Sequence, residues 1–346
     1  MIEKLKQFKI LIFFLFFILL LISTVFILRA LVNNETNAPE EAPSLAPGYP
    51  GILPDLTIEP PPGLTNNNAF NIIVNFADQT FPSSAPVFRK KSSFLTDESI
   101  IALGSSFQFT TEPQNIIDGQ GQTVFLWNEE NRSLVINKHN GEILYSNSQP
   151  ENIQRLMGST RDVINAASLF LTQNNVYHQD LKTTIQDVKL LIAEEGGDTV
   201  EADSFTNADL YAVTFSRYLD QKPVYHQGST KRQVLVLVNP SGTIQSLQYI
   251  YPTLEPTSQT YPIISMTEIK TLLSQGRGQI AKIGPENEFI IATPPTTPIT
   301  LNTIELAFVD DRTTNFIQPI FVFMGEYTNQ SGEQEQVYIY LPAIKQ

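Results

Sequence analysis

Cysteine is absent from all 346 residues, which removes disulfide staples and thiolate metal sites. A fold of this size must then rest on its apolar core. Histidine is nearly absent: His139, His178 and His226 are the three in the chain, none at ligand spacing from another, and no His-Glu-x-x-His occurs. Metal-dependent catalysis is therefore not expected. The serine nucleophile patterns Gly-x-Ser-x-Gly and Ser-x-x-Lys with a later Lys-Thr-Gly are also missing. Gly119 with Gly121 and Gly276 with Gly278 are glycine pairs that lack the Lys-Ser/Thr of a phosphate loop. The reading is a non-enzymatic chain with no catalytic residue, no cofactor and no metal.

Basic residues are scarce too. Beyond the first 32 residues, 18 Lys and Arg stand against 34 Asp and Glu, a net charge of −16. Affinity for nucleic acid comes largely from cations that neutralise phosphates, so nucleic acid is excluded as a partner. Anionic lipid and anionic wall polymer are repelled by the same excess, which serves solubility.

What the chain does have is one long uncharged run, residues 10–28. As a helix it reaches about 28 Å, close to the thickness of a bilayer's hydrocarbon core. Lys4, Lys6 and Lys9 precede it, and Glu35, Glu40 and Glu41 follow Arg29. The positive-inside bias then predicts a cytoplasmic tail at 1–9, a transmembrane helix at 10–28 and everything beyond outside the cytoplasm. A cleaved signal peptide is the alternative, although the run exceeds the usual apolar region of about 7 to 15 residues. A lipoprotein would need a cysteine.

Residues 29–68 read as a Pro-rich linker, with eight prolines between 33 and 66. In polyproline geometry, at about 3.1 Å per residue, such a tether spans roughly 100 Å. Three units follow, at 69–150, 151–256 and 257–346, each predicted as one helix packed on an antiparallel meander. The expected fold class is α+β. In the third unit, Ser265 and Glu268 form a capping box, Ile264 and Ile269 a staple, and Gly276 with Gly278 a stop, before strands at 301–309, 316–327 and 336–341. In the second, a helix begins near Ser159 and carries Val163, Ile164, Ala167, Phe170 and Leu171 to Asn174 and Asn175. Strands are expected at 184–193, 210–219, 233–239 and 243–251, with a turn at 239–242. In the first, Thr96 caps a helix ended by Gly104, and Asn140 with Gly141 marks a two-residue hairpin.

Glu194, Glu195, Asp198, Glu201 and Asp203 surround a Gly-Gly pair and read as a solvated loop; whether that loop binds calcium stays open. An unrecognised hydrolase would need two or more of Glu194, Glu195, Asp198, His226 and Asp310 in one pocket. Aromatics at strand spacing supply the candidate interaction surface, Tyr249, Tyr251, Tyr338 and Tyr340.

Tyr211-Ala-Val-Thr-Phe-Ser-Arg217 with Asp220-Gln-Lys-Pro-Val224, the apolar run from Val234 to Val238, Ser241-Gly242-Thr-Ile244 and Ile264-Ser265-Met-Thr-Glu268 cover about residues 209–275. Together with the layout, this stretch resembles the YycH/YycI group of membrane-anchored regulators and the related PepSY modules. The resemblance implies a non-enzymatic protein outside the cytoplasm that binds another envelope protein, such as a sensor kinase of a two-component system, and regulates it. The long tether and the third unit depart from that pattern. The alternative expectation is an envelope-polymer binding or scaffolding module.

Overall fold

Helix starts fall where side-chain capping places them. In a computed structural model, α1 (Asp97–Ser106) begins after Thr96, whose Oγ1 accepts from Ser99 N at 3.2 Å. α2 (Thr160–Gln173) begins after Ser159, which accepts from Asp162 N at 3.3 Å. α3 (Met266–Ser274) carries the full capping box: Glu268 N donates to Ser265 Oγ at 3.3 Å and Ser265 N donates to Glu268 Oε2 at 2.7 Å. Gly276 then stops α3 with φ +72°. Gly104 has a different role from the stop expected of it. α1 runs past it, and a Cβ there would lie 2.5 Å from the Trp127 ring, so the glycine lets helix and sheet touch. The structure describes residues 53–345 except 57, 59, 62–63, 65–69, 92–94, 120, 149–154, 195–198, 227–230, 285–294, 296, 312 and 330–331, and the side chains of 256–258.

Repeated helix-on-meander units do not form. Among the described residues, eighteen strands and three helices build one mixed, strand-dominated network. Its first part is antiparallel and runs β3 (Gln114–Ile117), β4 (Thr123–Glu129), β5 (Arg132–Asn137), β6 (Ile143–Asn147), β13 (Ile244–Tyr249), β12 (Arg232–Val238), β10 (Leu210–Leu219), β8 (Val188–Ala193), β9 (Thr199–Glu201). A short β7 (Leu181–Lys182) also pairs with β10. One face packs α1 and α2 through Ile100, Val163, Ala167 and Leu171 onto Phe125, Trp127, Leu134 and Val236.

The second part centres on β16 (Ile299–Asp310), β17 (Phe316–Thr328) and β18 (Gln334–Pro342), with β15 (Gln279–Ile283) beside β18. β2 (Ser84–Lys90) pairs with β17 and with β14 (Leu254–Pro262). Two parallel partners lie along β16, namely β1 (Ile72–Val74) and β11 (Lys222–His226). α3 covers one face through Ile269 and Leu273. Residues of the expected linker cover the other: Ile58 is 2% exposed, Leu56 packs beside it, and Gln318 Nε2 donates to Pro54 O at 3.0 Å. The free reach of the linker is correspondingly shorter.

The architecture departs from expectation because capping is local chemistry whereas strand partners are not. β1 and β2, assigned by sequence order to the first unit, pair with β16, β17 and β14 from the far end of the chain. The membrane expectation is also corrected: among the described residues no helix is long and apolar enough to cross a membrane, which goes against a single-pass, signal-anchored protein. The span expected at 10–28 itself lies outside the described residues.

Gly104→Ala is expected to cost about 1–3 kcal/mol, because Trp127 is buried and cannot retreat; the shift of the urea midpoint at constant m-value checks it. A second expectation concerns acid. Lys345, then the amide and hydroxyl of Ser265, hold the Glu268 carboxyl down to about 2 from 4.5. That contribution is whole above the ordinary carboxylate range and fades as pH falls toward 2. Thermal melts of Glu268→Gln between pH 6 and pH 2 should therefore lose part of the wild-type acid dependence.

Candidate functional site

Alternation along β10 sends Tyr211, Val213 and Phe215 inward, and the next inward position is Arg217, 4% exposed. A buried guanidinium needs partners, and it has them. Arg217 Nε donates to Asp180 Oδ2 at 2.9 Å, its NH1 donates to Pro252 O at 2.7 Å, and its carbon lies 4.0 Å from the centre of the Tyr251 ring. Tyr251 Oη reaches both oxygens of Asp180, at 2.6 and 2.8 Å. The imidazole of His178 stacks on Tyr251 with centroids 4.1 Å apart and planes 4° from parallel, and the Tyr249 ring lies near Tyr251, centroids 5.9 Å apart. Burial, then the hydrogen bond to Asp180, push the Tyr251 hydroxyl pKa up. Desolvation holds His178 below the ordinary imidazole value; Asp180 opposes that and Arg217 adds to it. The cluster therefore keeps a neutral imidazole at the surface, fixed from beneath.

A second cluster lies where β2, β11 and the end of β16 meet. Lys90 Nζ donates to Asp310 Oδ1 at 2.8 Å and to Asp311 O at 2.8 Å, and His226 Nδ1 stands 3.7 Å from Asp310 Oδ2. Two of the five residues named for a hydrolase pocket, His226 and Asp310, thus come together. Yet Asp310 and His226 are only 3% and 5% exposed, and Lys90 occupies the carboxylate. His226 is the last residue of β11. Sealed from water and paired, this group holds strand ends together.

The four tyrosines of the expected interaction surface do not share an exposed face. Tyr249 and Tyr340 are core residues, 5% and 0% exposed; Tyr251 and Tyr338 are half-buried. The phase of each strand explains this: Tyr249 is in register with Val234 and Ile143 above the helical face, and Tyr340 meets the Tyr225 ring edge-on at 5.6 Å. Tyr225 is itself buried, donates its hydroxyl to Glu305, and has its pKa raised by burial first and the Glu305 charge second. Lys231 balances Glu305 from 3.3 Å.

Of the acidic loop, Glu194, Glu201 and Asp203 are exposed, and 195–198 lie outside the described residues. Among the described residues no group of three His, Cys, Asp or Glu is placed to hold a metal. Sequence reasoning missed Asp180, Arg217, Lys90 and the strand β3. The signal for Arg217 was its inward phase on β10; nothing in the sequence announced Asp180 as its partner. No family model and no curated protein matches the chain.

Lys90→Met is expected to destabilise the fold by about 3 kcal/mol, because it leaves Asp310 buried without its cation. Lys90→Met with Asp310→Asn should recover part of that loss; a double-mutant cycle in urea measures it.

Proposed function

We propose that this chain is a non-enzymatic module acting outside the cytoplasm, where it binds another envelope protein and regulates an envelope signalling complex such as a sensor kinase. The observation that carries the reading is β3. It pairs with β4 on one side, all four of its residues are exposed, and Ile116 and Ile117 are 42% and 73% exposed on its two faces. Edge strands are ordinarily blunted by a lysine, an internal proline or a bulge, and Gln114–Ile117 contains none of these. Beside it, the sheet face away from the helices continues with Leu126, Val135 and Leu144 in one cross-strand row. Glu112 and Asp118 flank the strand, so a second copy would bring acid toward acid. The occupant this edge suits is an extended, apolar segment with Lys or Arg at its ends, added as a further strand. The likeness of residues 209–275 to the YycH/YycI regulators supports the same reading.

The test is photo-crosslinking in cells from position 117 of the full-length protein, with position 185, another exposed isoleucine, as control. The reading expects position 117 to capture an apolar segment with basic ends from one envelope protein, position 185 not to capture it, and Ile116→Lys to abolish capture. Equal capture at both positions, or capture that survives Ile116→Lys, overturns it.

A second reading, binding of an envelope polymer, draws its support from the stack that ends in His178.

A further inference from the structure

We infer that Tyr251 and His178 form a stacking platform whose open imidazole face takes a neutral pyranose ring of an envelope glycan. This rests on the second reading above and gives it a site. One face of the imidazole is covered by Tyr251 in near-parallel contact, and His178 is nonetheless an exposed residue, so the surface it offers is its other face and edge. The ring beneath cannot drift: Tyr251 is held by Asp180 at its hydroxyl and by the Arg217 guanidinium at its face. The backbone of His178 is fixed by Leu181 N, which donates to His178 O at 3.1 Å. A platform already ordered gives up little conformational freedom when a ring settles on it.

The chemistry of the occupant follows from the neighbours. A π face is negative, and the C–H groups on one side of a pyranose are weakly positive, so the two stack. The Asp180 side chain is 26% exposed at the rim, and its carboxylate has lone pairs beyond those used by Tyr251 and Arg217, which suits sugar hydroxyls. Arg217 is buried and already bound to Asp180 and Pro252, so it is not available as an anion receptor. With Asp180 at the rim and the body of the chain strongly acidic, anionic sugars and nucleotides are disfavoured.

The chain has only three histidines, so their imidazole proton signals report separately. The experiment titrates the full-length protein with neutral N-acetylglucosamine trisaccharide. The expected result is a saturable shift of the His178 signals while those of His139 and His226 stay still. His178→Ala should weaken binding at least tenfold, and His178→Phe, which keeps a flat ring, should restore most of it. Sedimentation with purified wall material, run on wild type and His178→Ala, separates the two levels of the argument. If wall binding survives the alanine variant and the sugar leaves His178 unmoved, the polymer reading stands and this site is wrong. If neither the trisaccharide nor the wall binds, both fall. Should His178 respond to a tryptophan-containing peptide and not to the sugar, the platform belongs to protein recognition and the glycan assignment is overturned.

Discussion

One hairpin ties the two sheets together. β10 belongs to the antiparallel sheet along most of its length, then Tyr218 and Leu219 turn through two residues into β11, which lies parallel to β16 in the other sheet. Among the described residues this is the only strand pairing between the sheets. The turn residues are Asp220 and Gln221, at φ +46° and +63°, neither of them glycine. A left-handed conformation costs an L-residue about 1–2 kcal/mol, yet the mirror-image turn it produces matches the twist of the flanking strands. The offset comes from β11, which inserts Val224 and Tyr225, both fully buried, between the turn and β16. Without that insertion no strand pairing would join the two sheets among the described residues.

Local structure was largely legible. Thr96, Ser159 and Ser265 each cap the helix expected of them, and the strand patterns at 210–219 and 316–327 fall within β10 and β17. Capping and alternation are properties of a few neighbouring residues, and the sequence displays them directly. Partnership is not such a property. Nothing in Ile72–Val74 says that it will lie parallel to Ile299–Leu301. Hence a chain read as three successive units becomes a network in which the first strands close the last sheet. The linker is ambiguous for a related reason: its prolines speak for extension, and extension serves equally well for a tether and for a strip laid across a sheet. Among the described linker residues, Ile58 and Leu64 are buried, as in a strip laid on the fold.

The site was less legible, and the reason is again long range. Tyrosine at strand spacing was visible, but the phase that buries Tyr249 and Tyr340 depends on which face the helices occupy. Arg217 could be read as inward, since it continues Tyr211, Val213 and Phe215 in alternation. Asp180, 37 residues away in the chain, could not be read as its counterion. His226 and Asp310 meet because β11 and β16 are parallel neighbours in register at those two residues, a pairing that the unusual turn at Asp220 makes available.

The two charged clusters differ in what they leave for others. Around Asp310, every member is at most slightly exposed, and the interaction is spent inside the protein, where breaking it is costly and making it gains little. Around Asp180, the cation is buried but the carboxylate is a quarter exposed and the stacked histidine stands at the surface. The same contrast holds between the sheets. The β16 sheet is covered on one face by α3 and on the other by the segment around Ile58, whereas the antiparallel sheet has helices on one face, half-buried apolar residues on the other, and β3 open at its margin. Surface that a fold leaves uncovered at a cost in exposed isoleucine is surface available for binding. Both proposed recognition sites therefore lie in the antiparallel sheet and its loops, and the β16 sheet, whose faces are both covered, carries neither.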